Sequence, residues 1–209
     1  MQYLVVLLIF VVFLQTRIMD LKQSVYCLAV QSGVIACACL YTGLEQHGLA
    51  HALLPGLLTL AVKVIFIPGT MLRLINKLTD ESELTLDANV NYSTIAAAVF
   101  LVLGYVLVDH LMPAAIGRDI IAAAILMIMT GLALMVMRKR AIMQMCGLIT
   151  LENGIYLLGL LITEGLPLVV ELGVFLDVLI AVVVLVILTS RMNLSFMTTD
   201  TTVMHKLKG

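Results

Sequence analysis

Apolar residues in this chain come in long unbroken runs, not in strict alternation or narrow stripes. A helix that crosses a bilayer needs ~20 mostly apolar residues, within a range of about 17–25. Seven segments meet or approach that length, at roughly 2–16, 24–44, 50–72, 93–112, 118–137, 141–163 and 167–190. The first is short, the third is interrupted by Lys63 and by Pro68-Gly69, and the last three are clean. The one sizeable polar connection, residues 73–91, is acidic in its middle through Asp80, Glu81, Glu83 and Asp87, and reads as a solvated loop. The pattern predicts an all-α, polytopic integral membrane bundle of about seven transmembrane helices. Its expected parts are a four-helix portion in 1–112 with a cytoplasmic loop at 73–91, a three-helix unit in 118–190, and a cytoplasmic polar tail in 191–209. The opening Met1-Gln2-Tyr3-Leu4 has no basic region before the apolar run and no small-residue cleavage site after it, so the first helix is expected to be retained.

Composition strengthens the membrane reading. Of 209 residues, 62% are hydrophobic and 12% charged, against about 45–50% and 25% in a soluble domain. Mean hydropathy is +1.14. No globular interior of this size hides so much apolar surface, so the lipid bilayer must solvate most of it. A net charge of −1 without a basic patch argues against nucleic acid. Cys27, Cys37, Cys39 and Cys146 lie in apolar stretches and form no CxxC, so they read as small packing residues, not metal or cluster ligands. P-loop, GxGxxG and HExxH motifs are all missing. No catalytic residue, metal or cofactor is therefore expected in this chain itself.

Orientation follows from the excess of Lys and Arg in cytoplasmic loops. With seven spans and the N-terminus outside, the inner side holds Arg17, Lys22, Arg73, Lys77, Arg138, Lys139, Arg140, Arg191, Lys206 and Lys208, and the outer side holds Arg118. Removing any one helix would put part of the larger set on the wrong side.

Ionisable groups at membrane depth are costly, a few kcal/mol even on lenient scales, and mark functional candidates. Glu152 lies twelve residues from Arg140 and twelve from Glu164, or ~18 Å from either end of its span at helical rise. Asp177 is ten residues past Pro167, and Lys63 is ten residues before Arg73. All three are expected near mid-depth, where a carboxyl group held away from bulk water can hold or release a proton near neutral pH. Tyr156 follows Glu152 by one helical turn on the same face, and Asn153 adds a neutral polar neighbour. Glu171 lies nearer the outer side. Together these six residues are the expected proton pathway. The alternative for the charges is pairing with polar groups of neighbouring helices, which would only fix the packing. His47, His51, Asp109, His110 and Glu164 are expected at the outer interface, where water solvates them. Gly131, Gly147, Gly154 and Gly159 leave room for a close neighbour.

Residues 131–161, GLALMVMRKRAIMQMCGLITLENGIYLLGLL, and 169–190, VVELGVFLDVLIAVVVLVILTS, resemble the small three-helix K subunit of respiratory complex I. In that family an inner basic turn precedes a helix with a mid-membrane glutamate, and a second glutamate follows in the next helix, where this chain has the aspartate Asp177, shorter by one methylene. Arg138-Lys139-Arg140 matches the turn, and Glu152 and Asp177 look like the two acids. The first acid of that family directly follows a Gly-Leu pair, whereas Glu152 lies one turn beyond the corresponding point. With four further helices ahead of this unit, the length and layout resemble hydrogenase-4 component E, the K-like membrane subunit of group 4 [NiFe] hydrogenase and formate hydrogenlyase complexes. The resemblance implies a non-catalytic subunit in a prokaryotic cytoplasmic membrane. Its partners would be antiporter-like membrane subunits, a subunit-H-like membrane anchor and peripheral hydrogenase subunits. The nickel–iron site and iron–sulfur clusters would reside in those partners.

Three other readings remain. A subunit of a multi-subunit cation/proton antiporter is disfavoured by the four additional helices. A stand-alone transporter should carry paired broken helices, and only the third span is broken. A structural scaffold would use the charges as pairing glue.

Overall fold

The computed structural model describes residues 2–46, 57, 60–76, 90–111 and 117–162, together with Leu179, Val182 and Val186. Every regular element among them is helical. They are α1 (Gln2–Arg17), α2 (Leu21–Gln46), a π-helix (Leu60–Phe66) running into α3 (Ile67–Ile75), α4 (Val90–Leu111), α5 (Arg118–Met137) and α6 (Ala141–Ile162). Four stretches are long and apolar enough to cross a membrane: Leu21–Tyr41, Tyr92–Leu111, Arg118–Met137 and Ala141–Gly159. The described part of the chain is thus all-helical, with the apolar helices of a membrane protein. Helix α1, at 16 residues, is apolar and falls where the apolar pattern predicts a short helix, but is shorter than those four.

The third segment departs from its expected form. Its described part winds as a π-helix over Leu60–Phe66 and resumes as α3. The change occurs just before Pro68, which cannot donate to a carbonyl one turn back. Helix α3 then continues to Ile75, three residues into the polar stretch expected as loop, because Met71 and Ile75 extend a buried apolar face. Residues 77–89 of that loop lie outside the described residues, as does most of the expected span 167–190.

Two short turns define one end of the bundle. Ile18-Met19-Asp20 joins α1 to α2, and Arg138-Lys139-Arg140 joins α5 to α6. Arg138 is buried and donates from Nη2 to the carbonyls of Thr16 (3.0 Å) and Ile18 (3.3 Å), so it caps the C-terminal end of α1 and ties the turns together. A cation suits the negative end of a helix dipole. The start of α4 sits at this turn end too, since the Thr94 hydroxyl meets that of Thr16 at 3.2 Å. At the far end, Arg118 of α5 pairs with Asp109 of α4.

Small residues let α5 and α6 approach closely. A Cβ on Gly131 would lie 2.6 Å from the Gly147 carbonyl oxygen, and one on Gly154 would lie 2.9 Å from that of Ala124. In lipid, where apolar surface gains little by meeting apolar surface, such backbone contact holds helices together. Two apolar clusters fill the interior. One gathers Val5, Leu8, Val12, Ile35, Ala123, Met127 and Leu157 toward the far end. The other gathers Leu21, Val25, Ile67, Met71, Ile142 and Ile149 toward the turn end, with Val182 packed among them. A polar layer separates them.

Candidate functional site

That layer forms where the middles of α2, the π-helix and α6 face one another. Lys63 reaches in from the π-helix and pairs with Glu152 Oε1 on α6. Its ammonium also donates to Asn153 Oδ1 at 3.2 Å. Asn153 in turn donates from Nδ2 to Gln31 Oε1 (3.3 Å) and to the Ser32 hydroxyl (3.1 Å) on α2. Lys63 is 1% exposed, Glu152 5% and Asn153 0%, so the layer is sealed from the protein's own surface. Tyr156 closes it on the far side. The Lys63 ammonium lies 5.4 Å from the Tyr156 ring centroid, within cation–π range, and the phenol donates to Cys39 Sγ at 3.2 Å.

The local sequence explains the arrangement. Glu152 and Asn153 are adjacent on α6, about 100° apart around its axis, so one faces the π-helix while the other reaches both the π-helix and α2. Lys63 sits at the centre of the π-helix, a rare form that occurs mostly as single-turn bulges within α-helices and is frequent at functional sites. The charges of Lys63 and Glu152 cancel, which keeps the layer neutral. Taking each ion out of water still costs several kcal/mol, offset only by good geometry and further hydrogen bonds.

Four of the six expected pathway residues, Lys63, Glu152, Asn153 and Tyr156, therefore come together. Asp177 and Glu171 lie outside the described residues, as do His47, His51 and Glu164. Asp109 and His110 are exposed at the far end of α4. Sequence reasoning missed Gln31 and Ser32, which complete the layer, and Gln15 and Thr150. The Gln15 amide donates to Thr150 Oγ1 at 2.9 Å, below the layer on the turn side. The signal was available: each is a polar residue inside an apolar run, and Gln31-Ser32 is a polar pair like Glu152-Asn153. Among the described residues no three His, Cys, Asp or Glu side chains converge to hold a metal ion.

Comparison with known proteins gives weak but consistent likenesses. No family model matches the chain, and no solved structure matches it. An uncharacterized protein of Mycobacterium tuberculosis is 29% identical over 192 residues, covering 90% of this chain and 87% of that protein. Hydrogenase-4 component E of Escherichia coli K12 is 29% identical over 116 residues, covering 55% of this chain and 54% of its own length. The same protein of Shigella flexneri matches equally. The chain thus aligns with about half of hydrogenase-4 component E. Of these likenesses, the one that carries a name is to a component of hydrogenase-4, over about half of each chain.

Proposed function

We propose that this chain is a non-catalytic membrane subunit of a complex I-related, hydrogenase-4-type assembly of the formate hydrogenlyase kind. Its Lys63–Glu152–Asn153 layer is one station on a proton or cation path driven by redox chemistry in partner subunits. The observation that carries the reading is the oppositely charged pair buried at mid-helix in a chain of apolar spans. A subunit that only had to pack would do as well with apolar side chains of similar volume, because burying ions is often no gain for stability. The similarity to hydrogenase-4 component E supports the class of assembly.

In this reading the chain crosses a prokaryotic cytoplasmic membrane seven times, with its N-terminus outside. The basic turns Arg17 to Lys22 and Arg138 to Arg140 face the cytoplasm, as the distribution of positive charge requires. Lys63 and Glu152 hold opposite charges that a passing proton can rebalance, Asn153 keeps them in register, and Tyr156 bounds the station. Asp177 and Glu171 are the further acids of the proposed path. Antiporter-like membrane subunits, a subunit-H-like anchor and peripheral hydrogenase subunits surround it. The peripheral subunits hold the nickel–iron site and iron–sulfur clusters.

A tagged chain purified from its native host in mild detergent tests the assembly. Antiporter-like subunits together with a hydrogenase-type peripheral subunit, identified by mass spectrometry, are the expected result. Antiporter subunits alone would replace the reading with a cation/proton antiporter, and a chain that purifies by itself would overturn it.

A further inference from the structure

Lys63 is held in the way a free monovalent cation is held. Its ammonium meets the Glu152 carboxylate, the Asn153 side-chain carbonyl at 3.2 Å and the face of the Tyr156 ring, whose centroid lies 5.4 Å away. Carboxylate and amide oxygens are the ligands that hard cations take. An aromatic face is the surface that recognises ammonium ligands. None of these three partners requires the cation to be attached to the chain.

The three partners are also aimed at that position independently of the lysine. Asn153 donates from Nδ2 to Gln31 Oε1 and to the Ser32 hydroxyl, which turns its Oδ1 toward Lys63. Tyr156 donates its phenol hydrogen to Cys39 Sγ, which fixes the ring. Glu152, Asn153 and Tyr156 all belong to α6, and Tyr156 lies one turn past the other two on the same side. Gly154, between them, seats that part of α6 closely on α5. The cation alone comes from another element, the π-helix. The carboxylate, in turn, demands a cation. Glu152 is buried, and its Oε2 has no hydrogen-bond partner among the described residues. A buried carboxylate stripped of its counter-charge is costly, so a site emptied of its ammonium draws in another cation of similar size.

We propose that Glu152, Asn153 and Tyr156 form a binding site for a small monovalent cation on one side of α6, and that Lys63 is its tethered occupant, which keeps free cations out. A free alkali ion has to exchange its hydration shell for several oxygens at once. The Lys63 ammonium already holds Glu152 Oε1 and Asn153 Oδ1. Lys63 is thus a specificity-determining residue that bars sodium and potassium from Glu152. Its bearing on transport rests on the ion-path reading above, whereas the cation site itself does not.

Truncating the occupant tests the site. Lys63→Ala removes the part of the side chain that n-propylammonium reproduces. The full chain is purified in detergent, and its thermal unfolding is followed in n-propylammonium chloride and in 1-propanol, which fills the same space without the charge. The expected result is a saturable rise in unfolding temperature with n-propylammonium, the shift given by a ligand that binds the folded state. No rise is expected with 1-propanol, and adding Glu152→Gln to Lys63→Ala should abolish the effect. Recovery of folded Lys63→Ala only when n-propylammonium, and not 1-propanol, is present throughout purification gives the same support. Equal effects of the two compounds, a rise that survives Glu152→Gln, or no effect of n-propylammonium in either format overturns the site. The unmodified chain supplies a reading free of any folding defect. It should unfold at the same temperature in sodium, potassium and choline chloride of equal ionic strength. A sodium-specific rise that Glu152→Gln abolishes would show a site Lys63 does not fill, and would overturn the proposal too. No ion movement is measured in these experiments, so their failure is distinct from failure of the ion-path reading, which translocation by the assembled complex decides.

Discussion

Lys63–Glu152 and Arg118–Asp109 are the same kind of chemical pairing in opposite surroundings. The first is enclosed at mid-bundle, with side-chain exposures of 1% and 6%. The second sits at the far end with 42% and 57% exposure. The exposed pair needs no explanation, since water and lipid headgroups solvate charges there cheaply and such pairs contribute at most ~1 kcal/mol. The enclosed pair has to be held by what surrounds it: Asn153 against Lys63, Gln31 and Ser32 against Asn153, and a π-helix that presents the lysine. The contrast teaches that burial, not the presence of charge, separates a candidate site from a surface feature in this chain.

The largest test of that contrast is to break one side of each pair. Lys63→Met leaves Glu152 buried without its counter-charge and is expected to lower stability in detergent by ~3–5 kcal/mol. The double variant Lys63→Met, Glu152→Gln is neutral and should recover most of the loss. The coupling between the two substitutions, read from a double-mutant cycle of thermal unfolding, measures the interaction. Additive effects would mean that the pair does not act as a unit.

A substitution in the seam that carries Glu152 should come next. Gly154→Val places side-chain atoms where even a Cβ would lie 2.9 Å from the Ala124 carbonyl oxygen. Overpacking of this kind costs ~1–3 kcal/mol. Gly69→Val is the control, because a Cβ there meets nothing within 4 Å. Equal unfolding temperatures for the two variants would refute the close α5–α6 seam.

Thr150→Val removes a hydroxyl bonded to Gln15 and should cost ~1 kcal/mol. The smallest effect is expected at the exposed pair. Arg118→Ala should shift stability by ~1 kcal/mol or less, and added salt should shrink the shift further, since exposed charges are screened. An Arg118→Ala effect as large as that of Lys63→Met would erase the distinction between the pairs.

Much of the architecture was legible in the sequence because lipid enforces a simple rule: long apolar runs must be helices. The run at 118–137 coincides with α5, and Glu152, Asn153, Tyr156 and Lys63 meet as their depths predict. Two things were not legible. Depth counting says how far along the membrane a residue lies but not which way it faces, so the matching of Gln31 and Ser32 to Asn153 needed the three-dimensional packing of α2 on α6. The count also treats every arginine near a helix end as solvated. Arg138, read as a cytoplasmic charge, is buried and caps α1. A turn of three residues brings its guanidinium back under the neighbouring hairpin, and no periodicity records that.

The central claim is that the enclosed pair moves ions and does not merely hold helices together. The measurement that bears on it most directly is ion translocation coupled to redox turnover, in vesicles holding the whole assembly with Lys63→Met, Glu152→Gln. This variant keeps the layer neutral, so its subunits should co-purify as in the unmodified complex. The account predicts intact assembly with ion movement lost. Ion movement at the unmodified rate in a correctly assembled double variant would contradict it and leave the pair a packing device.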